Sequence, residues 1–165
     1  NPIKFFQNLK DVIIFTFSTA SSSASIPFTL KAASDKYGID KSISTFTVPL
    51  GATINMDGTA IMQGCATFFL ASLYGIDLGA SEIITIVITA TIASIGTAGI
   101  PSAGIIMLTV IFTQIGIPLE GITLLLGVDR LLDMMRTSVN VSGDLCISCV
   151  IASSENKINH KVFNS

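Results

Sequence analysis

The chain has no tryptophan, one histidine and three cysteines, and in 165 residues only 9 Lys+Arg and 11 Asp+Glu. Each scarcity excludes something. Charged residues make up 12% of the chain, against about a quarter in ordinary soluble domains. A net charge of -2 without a basic cluster gives nucleic acid no footprint. Cys146 and Cys149 form a lone CxxC on an apolar stretch, without the further ligands of a zinc site or the soluble context of a redox pair. With Cys65 they read as small core residues. His160 sits in a polar tail and reads as a surface residue, and no nucleophile with a paired base occurs, so enzymatic chemistry has no candidate. The chain opens on Asn1-Pro2 with no signal-peptide pattern and reads as part of a larger protein.

What is present instead is apolar. Half of the residues are hydrophobic and the mean hydropathy is +0.72. No charge occurs from Ile83 to Leu119, and Asp57 is the only one between Lys41 and Asp77. Each run exceeds the roughly 20 residues that span a bilayer core. A soluble helical binding module would expose too much apolar surface here. The chain is therefore expected to be an all-α membrane protein.

Three of the apolar runs are interrupted. Thr19-Ala-Ser-Ser-Ser-Ala-Ser-Ile-Pro27 puts a serine run and a proline where a simple span would be most apolar, so two half-helices meeting at a tip that ends at Pro27 are expected. Lysines flank this hairpin on both sides (Lys4 and Lys10; Lys31, Lys36 and Lys41), which a re-entrant hairpin allows and a span does not. Asn55 and Asp57 in Asn55-Met-Asp-Gly-Thr59 lie about 200° apart on a regular helix and converge only if it unwinds; a buried Asp57 there would offer a hard oxygen ligand to a small cation. The run from Ile83 to Leu119 would be about 55 Å long as one helix, so a break is predicted at Gly96-Thr-Ala-Gly-Ile-Pro-Ser-Ala-Gly104.

The densest signal runs from Asp129 to Asp144. At 100° per residue, Asp129, Asp133, Arg136, Asn140 and Asp144 fall within roughly an 80° arc, one polar stripe on an otherwise apolar helix. Ionisable groups in hydrocarbon are costly and face a cavity, a partner or a ligand. The order hairpin then Asp-bearing helix occurs twice, with Pro-to-Asp spacings of about 30 residues each time. The predicted fold is an inverted repeat of two re-entrant helical hairpins (11–33 and 83–118) and two transmembrane helices (44–75, broken, and 120–153), with its site at mid-membrane. An ion channel with re-entrant loops is the competing class, but it predicts a pore of repeated carbonyls or one sign of charge, whereas Asp133 and Arg136 mix signs.

Ser21-Ser-Ser-Ala-Ser-Ile-Pro27, Asn55-Met-Asp-Gly-Thr59, Gly96-Thr-Ala-Gly-Ile-Pro101 and Asp133-x-x-Arg-Thr-x-x-Asn-Val-x-Gly-Asp144, in this order, make the chain resemble the dicarboxylate/amino acid:cation symporter family over its whole length. The resemblance implies a partial transport domain of a sodium-coupled glutamate or aspartate transporter in the plasma membrane. Its substrate would lie between the hairpin tips and the last helix. Arg136 would hold the substrate's side-chain carboxylate, Asp133 its ammonium, and Asn140 with the tip Ala20, Ser21, Ser22 and Ser23 its α-carboxylate. Thr59, Thr137 and Ile100 would add contacts, and Gly104 would close the second hairpin. Sodium, the coupling ion, would bind at Asp144 with carbonyls of Gly51, Asn55 and Asn140, at carbonyls of Thr53, Ser94, Ile95 and Thr97, and at Asp57 with Asn55. Partners implied are membrane lipid, an N-terminal scaffold of the same transporter and, at full length, a homotrimer. The chain has no second arginine at Ala20 or Met134, where relatives transporting acidic amino acids often carry one. C4-dicarboxylate or neutral amino acid symport are the alternatives within the family. Asp133 argues against the first and Arg136 against the second.

Overall fold

The computed structural model describes residues 1–164, and among them the architecture is helical throughout, with no strand beyond an isolated antiparallel bridge between Ile39 and Ile158. The order is α1 (Pro2–Thr19), α2 (Ser22–Asp35), α3 (Lys41–Ile54), α4 (Asp57–Leu73), α5 (Ala80–Ile95), α6 (Ala103–Ile115), a 3-10 turn (Leu119–Gly121), α7 (Ile122–Ser154) and α8 (His160–Phe163). Among the described residues no helix is both long and apolar enough to cross a membrane by itself. The reason lies in the interruptions: α2 to α6 are each short, and α7, the one long helix, carries the polar stripe.

The first turn does not fall where the proline suggested. The chain reverses at Ala20, which is left-handed (φ 49°), and Ser21, whose Oγ accepts the Ala24 N–H and caps α2. Pro27 lies inside α2. Its missing N–H leaves free only the carbonyl of Ser23, the second residue of α2, and the helix continues through it. The first arm also starts well before residue 11, at Pro2, with Asn1 as its N-cap. The two other breaks fall as read: α3 stops at Ile54 and α4 starts at Asp57, while α5 and α6 are separated by residues 96–102.

Two apolar cores lie on either side of the stripe. One joins α4, α5 and α6 to the start of α7 through Leu70, Ile86, Leu108, Ile111, Phe112 and Leu125. The other joins α1 and α2 to the end of α7 through Leu9, Val12, Ala33, Tyr37, Val141 and Leu145. Between Leu125 and Val141, α7 turns its polar face inward while Leu131, Met135 and Val139 remain exposed. The tail closes the second core: Asn159 N–H donates to Gly38 O, Asp40 N–H to Lys157 O, and Phe163 packs on Tyr37. Burial pushes the Tyr37 phenol above its usual range, and its hydroxyl donates to Phe5 O at 3.1 Å. Hydrogen bonds from Ser42 hold the Asp40 carboxyl below the ordinary range at the start of α3.

Cys65 and Cys146 are exposed, contrary to the core positions their apolar surroundings suggest, whereas the half-buried Cys149 packs against the second core. Cys65 and Cys146 lie on the outward faces of α4 and α7, where apolar residues are also exposed.

Phe112 is fully buried in the first core. Phe112→Ala is expected to destabilise the protein by about 3–5 kcal/mol, read as a lowered Tm in detergent, with the second core little affected.

Candidate functional site

Helix α7 brings the whole stripe indoors: Asp129, Asp133, Arg136, Asn140 and Asp144 are each 5% exposed or less. Arg136 donates through Nε and Nη2 to Asp133 Oδ1, both at 2.7 Å. The pair sits one turn apart on the same helix, so its geometry is set by the backbone rather than by folding distant parts together. Arg136 Nη1 is buried and has no hydrogen-bond partner among the described residues. It lies against Gly104 on α6, where any Cβ would overlap it. A bulkier residue than glycine at 104 would therefore push the second hairpin off the arginine.

Asn140 also reaches across to the start of α4. Its Oδ1 accepts the N–H groups of Gly58 (2.8 Å) and Thr59 (3.4 Å), and its Nδ2 donates to Thr59 Oγ1 and Met56 Sδ, each at 3.2 Å. Met56 provides no side-chain cap for α4, so a side chain from α7 caps that helix in trans. This ties the unwound link Asn55-Met56 to the stripe.

The hairpin tips meet each other. Ser21 Oγ and Ser23 N–H both donate to Gly99 O, at 2.8 and 3.0 Å. Under this contact lies a cavity of about 10 Å³, the room of about one water molecule. Ala20 and Ser22 line it from the first tip, Thr97, Gly99 and Ile100 from the second, and Thr59, Asp133, Arg136, Thr137 and Asn140 from the helices. Of the residues expected to hold a substrate, Ser21, Ser23 and Gly104 are absent from the wall itself but bond to Gly99 or back Arg136. An amino acid does not fit this closed state.

The oxygens expected to hold cations are distributed in two ways. Asn55 Nδ2 donates to Asp144 Oδ1 at 2.9 Å, and Gly51 approaches the same carboxylate so closely that a Cβ would overlap Oδ1. Gly51, Asn55 and Asp144 thus come together, with Asn140 one turn along α7. Asn55 and Asp57 both lie beside Gly143, whose added Cβ would be 2.8 Å from Asn55 Nδ2 and 3.0 Å from Asp57 Oδ2. Asp57 itself is exposed, contrary to the buried carboxylate expected from its apolar neighbours. It is the first residue of α4, with its carboxylate beside Gly143 at the edge of the break. Ser94 and Thr97 are buried at the end of α5, whereas Thr53 and Ile95 are exposed; α3 and α5 are in contact. No group of three His, Cys, Asp or Glu side chains clusters among the described residues. The groups at Asp144 are its own carboxylate, a hard oxygen ligand, and the Asn55 amide, whose Nδ2 faces it.

Three functional candidates escaped the sequence reading. Ser102 donates its N–H to Asp133 and its hydroxyl to Asp129, each at 2.7 Å. Gln63, fully buried, donates Nε2 to Gly104 O at 3.2 Å and leaves Oε1 without a partner among the described residues. Gly99 offers the carbonyl that joins the tips. Only Gln63 left a signal, its position one turn after Thr59 on the same face of α4.

In this site helical hairpins meet tip to tip over a buried ion pair, and broken helices expose backbone to it. The chain belongs to the sodium:dicarboxylate symporter family, whose model matches residues 1–154. It is 49% identical to excitatory amino acid transporter 2 of Mus musculus over 144 residues, 87% of this chain and 25% of that protein. It is 47% identical to excitatory amino acid transporter 1 of Rattus norvegicus and 46% identical to excitatory amino acid transporter 3 of Mus musculus, again over 87% of the chain. The chain spans about a quarter of the length of these relatives.

Gly51→Ala would force Asp144 away from Asn55 while leaving the Arg136 region intact. Sodium affinity, measured by sodium titration of the complete protein, is expected to fall at least tenfold, with thermal stability in choline buffer changed far less.

Proposed function

We propose that this chain is the moving part of a sodium-coupled symporter for acidic amino acids, working by alternating access. The observation that carries this reading is Arg136: buried, two of its nitrogens on Asp133, and Nη1 beside the cavity without a partner among the described residues. A buried unpaired donor is costly, and a ligand carboxylate would satisfy it bidentately. When Arg136 turns to that carboxylate, Asp133 is released to take an ammonium. An aspartate or glutamate supplies both groups; a neutral amino acid lacks the carboxylate, and a C4-dicarboxylate lacks the ammonium.

Loading requires the tips to part, because the cavity of about 10 Å³ is far smaller than an amino acid. Opening breaks the bonds of Ser21 and Ser23 to Gly99 and moves Gly104 off Arg136. Ser22 and Thr97 would then face the ligand, with Asn140, Thr59 and Thr137 on the opposite wall. Sodium is co-transported substrate in this scheme. One ion would sit at Asp144 with Gly51, Asn55 and Asn140, a second at the carbonyls of Thr53, Ser94, Ile95 and Thr97 where α3 meets α5, and a third at Asp57 with Asn55. Ions between α3 and α5 favour the closed hairpin, as does the amino acid, so each raises the affinity of the other.

In the same reading the two hairpins enter a plasma membrane from opposite sides as an inverted repeat, α3 with α4 and α7 cross it, and the irregular links lie where protein covers them. The unit moves against a scaffold of further helices, in a trimer.

The test is sodium-gradient-driven uptake of labelled L-aspartate by the complete transporter in liposomes. Wild type is expected to take up aspartate only with sodium outside, and Arg136→Cys to lose at least 100-fold in aspartate kcat/KM while admitting serine or alanine. Transport of succinate or of neutral amino acids by the wild type, without aspartate, would overturn the roles of Asp133 and Arg136.

A further inference from the structure

Ser102 begins α6 but does not cap it. Its backbone is left-handed (φ 62°), a conformation unfavourable for serine, and its side chain makes no bond to its own helix. Both of its donors go to α7 instead: the N–H to Asp133 Oδ2 and the hydroxyl to Asp129 Oδ2, each at 2.7 Å. Among the described residues these are the hydrogen bonds that join the α5–α6 hairpin to α7. The two carboxylates lie one turn apart, 1% and 5% exposed. Asp133 is neutralised by Arg136, but Asp129 takes part in no ion pair among the described residues and receives a single neutral donor. A buried carboxylate so poorly compensated weakens the fold, and so does a left-handed serine. The two unfavourable features occur at one contact, on the loop that covers the cavity.

We propose that Asp129 and Ser102 are positioning residues of the substrate site. Asp129 fixes the Ser102 hydroxyl, which aims the Ser102 N–H at Asp133 Oδ2. This holds residues 96–102 down over the cavity and sets the plane of the Asp133 carboxylate. Neither residue touches the substrate. The carboxylate of Asp133 accepts about four hydrogen bonds, so it can keep the Ser102 N–H while an ammonium takes the place of Arg136. The proposal rests on the reading of Asp133 as the ammonium-binding group.

The experiment compares wild type, Ser102→Ala, Asp129→Ala, the double variant and Asp129→Asn in the complete transporter in lipid. Two quantities are read: hydrogen–deuterium exchange of residues 96–104 without ligand, and KM and kcat of sodium-driven L-aspartate uptake. Each alanine variant is expected to speed exchange of the loop about tenfold and to raise KM about tenfold, with kcat changed less than KM. The double variant should do no more than either single one, because both break the same contact. Asp129→Asn, whose amide oxygen still accepts the hydroxyl, should recover most of both effects. Unchanged exchange in both alanine variants, or effects that simply add, would overturn the proposal. Should Asp129→Ala not fold, Ser102→Ala and Asp129→Asn decide it alone. Failure of the transport reading is distinguishable: wild type would then take up no aspartate, while the exchange measurement would still report whether the contact holds the loop.

Discussion

The ion pair between Asp133 and Arg136 is buried halfway along a helix whose outer face is apolar, and the surrounding structure is shaped by that burial. A pair one turn apart satisfies two of the guanidinium nitrogens and one carboxylate oxygen. The remaining capacity has to be met by groups brought from elsewhere, since each unmet group in a water-poor interior costs about 1–3 kcal/mol. Continuous helices have no free donors to offer along their length. Broken ones do.

This is the physical sense of the three interruptions. The break at Asn55-Met56 frees the N–H groups of Gly58 and Thr59 for Asn140. The break at residues 96–102 frees the N–H of Ser102 for Asp133 and the carbonyl of Gly99 for the opposite tip. The turn at Ala20-Ser21 delivers the serines that reach that carbonyl. Two apolar cores, one at each end of the stripe, hold the pieces in place without requiring contact at the centre. At the centre the tips are joined by a few hydrogen bonds rather than by packed side chains. In a carrier the same separation lets a ligand and its ions decide the state of the hairpin.

Much of this was legible in the residues. The stripe from Asp129 to Asp144 followed from helical periodicity alone, and all five members are buried. The break at Gly96–Gly104 followed from an apolar run too long for one helix, and the unwinding at Asn55 from two polar residues on opposite faces. Pro27 misled because a proline near a helix start costs little; the turn was set by a capping serine and a left-handed alanine, which carry weaker signals. The apolar neighbours of Asp57 suggest burial, yet at the start of α4 it stays exposed beside Gly143. Cys65 and Cys146 mislead for the same reason, while Cys149 does pack on the second core.

Helical period and run length alone dictate which residues share a face and where regular helix must stop, since both depend on local geometry. The tertiary structure decided the pairings: Asn140 as a cap for α4, Gly99 as the meeting point of the tips, Ser102 as the bridge to Asp129 and Asp133. Those contacts join residues far apart in the chain, and each depends on a close approach of backbones that only the packed helices fix.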